Sequence, residues 1–121
     1  MLIYEGITDV IIKSVYEVHR ILGPGFLEKV YENALIKEME SRGLKCDQQV
    51  PLEVYYKDYI VGQYIADIIV EDKIILEIKA ISGLEERHFS QLLNYLKSTR
   101  MKLGFVINFG TPNAQIKRII N

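Results

Sequence analysis

The stretch Ile65-Ala66-Asp67-Ile68-Ile69-Val70-Glu71-Asp72-Lys73-Ile74-Ile75-Leu76-Glu77-Ile78-Lys79-Ala80 holds the two most apolar runs of the chain, joined by a short polar turn. β-Branched residues on both sides of Glu71-Asp72 predict two antiparallel strands. The second run is apolar at successive positions until its end, as in a strand covered on both faces, which places it centrally in its sheet. Each run carries one carboxylate, Asp67 in the first and Glu77 in the second, where a charge is costly. With the turn centred on Asp72, cross-strand partners have numbers that sum to 144, a condition that Asp67 and Glu77 meet. Facing carboxylates repel by up to about 1 kcal/mol, more where water is scarce, unless a cation or a proton lies between them. The side-chain period of two puts Lys79 on the face of Glu77. Two carboxylates with a carbonyl and waters make the all-oxygen, partly hydrated shell that Mg²⁺ takes, and a neighbouring ammonium suits an anionic substrate. The plainer alternative is a solvated pair of strand acids with Lys79 as their salt-bridge partner, and a register slip of one residue would send the acids to opposite faces.

Working outward, strands are expected over Val50 to Tyr56, Tyr59 to Val70 and Lys73 to Ala80, a meander turned at Lys57-Asp58 and Glu71-Asp72. Towards the N-terminus, Val10, Ile11, Val15, Val18, Ile21 and Leu22 recur at helical spacing and predict a helix over Thr8 to Leu22, with Thr8 or Asp9 as its cap. Gly23-Pro24-Gly25 breaks it, and a second helix follows through Leu27, Val30, Tyr31, Ala34, Leu35 and Met39 until Gly43. Beyond Gly83, a helix from Glu85 to Leu96 carries Phe89, Leu92, Leu93 and Leu96 on one face, and Leu103 to Asn108 reads as a buried strand. Pro112 is read as opening a last short helix through Ile119. The order αα-βββ-α-β-α predicts an α/β sandwich in a single domain over residues 1–121.

Composition narrows the function classes. With 121 residues, 49% hydrophobic and 26% charged, the chain is long enough and apolar enough for a packed core, which excludes disorder and low-complexity function. Fifteen Lys+Arg against sixteen Asp+Glu exclude an overall basic field, so any grip on phosphates is local. Lys97, Arg100 and Lys102, and Lys117 with Arg118, are the local basic clusters. The single cysteine, Cys46, excludes an internal disulfide and a cysteine-rich zinc site and fits a reducing compartment, so a cytoplasmic location is the expectation. No export signal and no apolar run of membrane-spanning length is present in the sequence, so no membrane association is expected.

Asp67 followed by Glu77-Ile78-Lys79 at the end of the next strand resembles the D…ExK signature of the PD-(D/E)XK nuclease superfamily. Gly25-Phe26-Leu27-Glu28-Lys29-Val30-Tyr31 resembles the motif of the GxxExxY protein family within that superfamily, and Gln91 to Tyr95 resembles the Q-x-x-x-Y element of RecB-type members. Ala66 stands where the superfamily name has proline. The resemblance runs from about Val10 to Ile119 and implies a restriction-endonuclease-like αβββαβ core, a mixed sheet flanked by helices.

The resemblance also implies roles. Asp67 and Glu77 would be metal ligands with the Ile78 carbonyl as a third, and Glu28 would reach the metal directly or through water. Lys79 would orient or help deprotonate the attacking water, or stabilise the charge that builds on the phosphoryl group. Gln91 and Tyr95, four residues apart and so on one helical face, would steady the site or contact the phosphate backbone. Each has a blander alternative. Glu28 sits where the helix macrodipole favours an acid, Gln91 and Tyr95 flank an apolar stripe, and Tyr31 reads as core packing; His88, three residues before Gln91, could share its edge of the helix, but a lone histidine near a helix start reads as solvated. The implied activity is that of a Mg²⁺-dependent nuclease, with Mn²⁺ as a substitute, acting on nucleic acid and on DNA above all. A catalytically inactive nucleic-acid-binding module of the same fold is the alternative, followed by a purely structural domain. The small size of the chain predicts a homodimer or a larger protein partner.

Overall fold

Apolar periodicity near the N-terminus becomes α1 (Glu5–Leu22), and the pattern after Gly25 becomes α2 (Glu28–Ser41), in a computed structural model that describes residues 3–121. α1 begins earlier than its sequence suggests, because Thr8 does not cap it. The Thr8 hydroxyl donates to the Glu5 carbonyl at 3.0 Å from inside the helix, and Tyr4 holds the cap position. Gly23, at φ 65°, turns the chain out of α1. Tyr31 is fully buried, stacks on Phe109 at 4.6 Å, donates its hydroxyl to the Gly23 carbonyl and accepts the Phe26 amide, so it staples the α1–α2 connection to the core.

The meander forms, but its first strand starts at Cys46, four residues before the expected Val50, because Cys46, Asp47 and Gln48 pair with Val70, Ile69 and Ile68. β1 (Cys46–Tyr56), β2 (Tyr59–Val70) and β3 (Ile74–Lys79) are sequentially antiparallel, and α3 (Glu86–Thr99) leads to β4 (Leu103–Asn108), which lies parallel to β3. The last element is a strand, β5 (Gln115–Ile120), antiparallel to β4, where a helix over Pro112 to Ile119 was expected. The physical reason is the exposed edge of β4: its unpaired main-chain groups need a ladder partner, and the β-branched Ile116, Ile119 and Ile120 supply one. The sheet order is β1-β2-β3-β4-β5 with β3 in the middle. Ile68, Val70, Ile74, Leu76 and Ile78 pack with α1 and α2 on one face, while Ile69, Ile75 and Val106 pack with Leu92 and Leu96 of α3 on the other. This is a mixed five-stranded α/β sheet flanked by three helices, consistent with a restriction-endonuclease-like fold. No helix among the described residues is long and apolar enough to cross a membrane.

One irregularity shapes the centre. The β1–β2 register pairs Gln48 with Ile68 and Val50 with Ala66, but skips the intervening Gln49 and Asp67. Gln49 has left-handed backbone, φ 53°. Across this point the faces exchange: Cys46, Ile68 and Val70 face α1 and α2, whereas Val50, Leu52, Tyr64 and Ala66 face α3. Even-numbered residues thus lie on one side of the sheet before the irregularity and on the other after it.

The exit of β3 is fixed by Asn108, whose side chain is fully buried with all its capacity used. It accepts the amides of Ile81 (2.9 Å) and Gly110 (3.0 Å) and donates to the Ile81 carbonyl (3.1 Å) and to Gln115 Oε1 (2.9 Å). Gly110 packs so tightly on this loop that a Cβ would lie 2.3 Å from the Ile81 carbonyl oxygen. Asn108→Ala strands buried donors and acceptors, so urea unfolding should show a loss of about 2–3 kcal/mol; a loss below 0.5 kcal/mol would contradict this account.

Candidate active site

Glu77 and Lys79 lie on the α3 side of β3, and the antiparallel ladder with β2 obeys the expected arithmetic at Ile68↔Leu76, Ile69↔Ile75 and Val70↔Ile74. It stops there. The next pair, Asp67 and Glu77, does not meet as a ladder pair, because Asp67 Oδ2 accepts the Ile78 amide at 2.8 Å and takes over from the β2 main chain as its acceptor. The strands part at the carboxylates, and on the α3 side lies a cavity of about 180 Å³ lined by Tyr64, Glu77, Lys79, His88, Gln91 and Tyr95, with Leu92 and Val106 behind them, while Asp67 and Glu28 lie outside its lining.

Asp67, Glu77, Lys79 and Glu28 are brought within electrostatic reach of one another. Burial pushes the Glu77 carboxyl up to about 7; Lys79 and the Asp67 amide oppose the shift, and Glu28 and Glu32 add to it. Burial likewise raises the Asp67 carboxyl, against the Ile78 amide, Gln49 and Lys79. Glu28, at the exposed start of α2, is raised by desolvation, with Asp67 and Glu32 adding to the effect and Lys79 opposing it. Lys79 makes no salt bridge among the described residues. Three carboxyls held above their ordinary range around one ammonium mark a local shortage of positive charge.

Gln91 and Tyr95 both line the cavity. Tyr95 stacks on Tyr64 at 3.9 Å, and the Tyr64 hydroxyl donates to the Glu77 carboxylate, so the aromatic pair braces an acid. The Ile78 side chain is core, and only its main chain reaches the site.

Glu32, Gln49 and Tyr64 escaped the sequence reading, which also took His88 as solvated. Glu32 lies one helical turn after Glu28, a spacing that puts both on one face. It is 3% exposed and accepts Lys29 (2.9 Å), Gln48 (2.5 Å) and Gln49 (3.1 Å). Gln49 also reaches Asp67 Oδ1 at 3.4 Å. Tyr64 carried no signal without the face exchange. His88, expected to be solvated, is 7% exposed, and its Nδ1 accepts the Glu85 amide at 2.9 Å; a capping residue spaced three from the helix start was the available clue. The basic clusters are dispersed: Arg100 stacks on Tyr55 at 4.3 Å, Lys117 lies over Phe89, and Arg118 over Phe105 on the opposite face.

The donor chemistry fits Mg²⁺: carboxylate oxygens on adjacent strands, a nearby carbonyl, and an unmet demand for positive charge. Among the described residues no three His, Cys, Asp or Glu side chains are grouped so as to hold one ion. The fit is therefore to Asp67 and Glu77 with water completing the shell, as a cation that keeps much of its hydration allows.

The raised Glu77 carboxyl has a thermodynamic consequence. Between pH 4.5 and about 7 the folded chain holds a proton that the unfolded chain releases, so this group's contribution to stability is full below pH 4.5 and is lost as pH rises through 7. The shift corresponds to about 3 kcal/mol. Without divalent cations, Glu77→Gln should gain stability relative to the unmodified chain on going from pH 5 to pH 8, as read by urea unfolding. A difference independent of pH would show that Glu77 is not held in this way.

A family model described as the PD-(D/E)XK nuclease superfamily matches residues 5–119. No curated protein is similar enough to be matched. A solved structure titled "Crystal structure of SSO0001" shares the fold, with a TM-score of 0.58 and 22% identity over 97% of this chain and 59% of that one. The chain thus spans a little over half the length of that relative.

Proposed function

Since the chain belongs to the PD-(D/E)XK nuclease superfamily, we propose that it is a nuclease that hydrolyses phosphodiester bonds of nucleic acid, with DNA as substrate and Mg²⁺ as cofactor. The observation that carries this reading is the parting of β2 and β3 at Asp67 and Glu77, with Lys79, in no salt bridge among the described residues, beside Glu77 in the adjoining cavity. The spacing of Gly25, Glu28 and Tyr31 supports the GxxExxY branch.

Asp67 and Glu77 would hold the metal, with the Ile78 carbonyl beside them and Glu28 reaching it through water. When bound, Mg²⁺ supplies Lewis-acid stabilisation of the charge that develops in the transition state. The protein supplies the rest. Lys79, near these carboxyls but salt-bridged to none among the described residues, presents an ammonium to the attacking water or to a phosphoryl oxygen. Tyr64, braced by Tyr95, keeps Glu77 from turning away, and the Ile78 amide fixes the orientation of Asp67. Gln91 offers an amide to the phosphate backbone at the mouth of the cavity. A target longer than the cavity would draw further contacts from a second copy or a larger partner.

The test is cleavage of labelled single-stranded, duplex and branched DNA, and of RNA, in Mg²⁺, Mn²⁺ or EDTA. Metal-dependent cutting should fall on the order of 10²-fold or more in Lys79→Ala, a loss typical of one transition-state donor. Asp67→Asn retains an oxygen for the Ile78 amide, so it should stay folded while losing both cutting and the rise in Tm that Mn²⁺ gives the unmodified chain. No cutting, with no effect of either metal on Tm, would overturn the reading.

A further inference from the structure

His88 lines the cavity with one of its two ring nitrogens uncommitted. The residue is only 7% exposed, yet it lines the same cavity as Glu77, Lys79 and Gln91. The two ring nitrogens have different fates. Nδ1 accepts the main-chain amide of Glu85 at 2.9 Å, and an amide N–H can donate only to an unprotonated nitrogen. In the neutral ring the proton therefore sits on Nε2. That nitrogen has no hydrogen-bond partner among the described residues, and it is not sealed off either, since the buried side-chain atom lacking a partner is Nε of Arg118. A residue this enclosed has little surface left except towards the cavity it lines, so the Nε2–H is a fixed, unused donor opening on that space.

We propose that His88 is a phosphate-binding residue of this site, whose Nε2–H donates to a non-bridging phosphoryl oxygen of the substrate. The assignment rests on the nuclease reading and adds to it a residue outside the acid-and-lysine set. The cavity already has two zones. Glu77 and its neighbours repel an anion, whereas the Lys79 ammonium, the Gln91 amide and the His88 Nε2–H are donors. Gln91 follows His88 by three residues on α3, so the two donors are neighbours on the helix surface. A phosphodiester has two non-bridging oxygens, and such an arrangement can accept both while the bridging oxygens stay free for the displacement. A donor that is preorganised by the fold needs no rearrangement when charge develops, which is the condition under which hydrogen bonds contribute most to catalysis. The Glu85 amide does that preorganising: it fixes both the ring orientation and its tautomer.

Two substitutions separate the two edges of the ring. Asn places an oxygen near Nδ1, so His88→Asn keeps an acceptor for the Glu85 amide and loses the cavity donor. Gln places its amide nitrogen near Nε2, so His88→Gln keeps the donor and loses the acceptor. The expected result is that His88→Asn melts within a few degrees of the unmodified chain yet loses on the order of 10²-fold in kcat for DNA cleavage, while His88→Gln retains cleavage to within about tenfold. Independently of cleavage, ¹⁵N NMR of the two histidines, assigned through His88→Asn, should show His88 with Nε2 protonated, and its Nε2 signal should move when a short DNA duplex is added in Ca²⁺. An Nδ1-protonated ring, a signal indifferent to DNA, or undiminished cleavage by His88→Asn would overturn the proposal, as would equal losses in both variants that track Tm. If the unmodified chain cuts and only these outcomes fail, the nuclease reading stands without His88; if it does not cut at all, both fall.

Discussion

The acceptance of the Ile78 amide by Asp67 Oδ2, at 2.8 Å, is the constraint on which the site depends. A buried main-chain amide must have a partner, and in an uninterrupted antiparallel pair that partner is a carbonyl of the neighbouring strand. Here a side chain takes its place. The substitution satisfies Ile78, gives a half-buried carboxylate a donor to offset its desolvation, and ends the β2–β3 ladder. Beyond that rung β3 keeps its ladder with β4 but loses the one with β2, and its Glu77 and Lys79 line the cavity on the α3 side. The other side of β2 answers at Gln49, whose left-handed backbone is disfavoured by roughly 1–2 kcal/mol in a residue with a Cβ. Its amide, bonded to both oxygens of Glu32 and reaching Asp67, offsets that strain.

Two acids of α2 divide the remaining work. Glu32 is almost wholly buried and its oxygens are committed to Lys29, Gln48 and Gln49, so it ties the helix to the irregular point of β1. Glu28, one turn earlier, has no side-chain hydrogen bond among the described residues and faces the same set of charges. One turn of helix therefore supplies a structural carboxylate and an uncommitted one. The uncommitted group joins Asp67 and Glu77 in raising the demand for a cation, a demand that Lys79 meets in part.

Much of this was legible in sequence. The antiparallel register followed from the turn alone, and the central position of Ile74–Lys79 followed from its unbroken apolar run. Glu77, Lys79, Gln91 and Tyr95 line one cavity, because strand ends and helix faces are periodic features that spacing reports, whereas Asp67 lies outside its lining and reaches the site through the Ile78 amide. The encounter of Asp67 with Glu77 was not legible in the form it takes, since a ladder rung surrendered to a side chain leaves no periodic trace. The final strand was misread because Pro112 is a good first residue of a helix, and local propensity said nothing of the unpaired edge of β4. His88 was misread because a histidine near a helix start is ordinarily wet, and only the tertiary structure shows the amide that holds it.

The exchange of faces at Gln49 and Asp67 links fold and site more tightly than any single contact. On a regular strand Tyr64 would share the side of Ile68 and Val70, which pack against α1 and α2, and would be separated from Glu77 by the thickness of the sheet. With the exchange it lies on the α3 side, where its ring stacks on Tyr95 and its hydroxyl meets Glu77. The irregularity that frees the end of β3 from its neighbour is thus the same one that delivers the residue holding the freed carboxylate. A fold that only opened the sheet would leave Glu77 mobile, and one that only braced it would leave no room for substrate. Joining both effects at one pair of residues ties the precision of the site to the stability of the β1–β2 hairpin, whose outer half must remain packed on α3 for Tyr64 to stay in place.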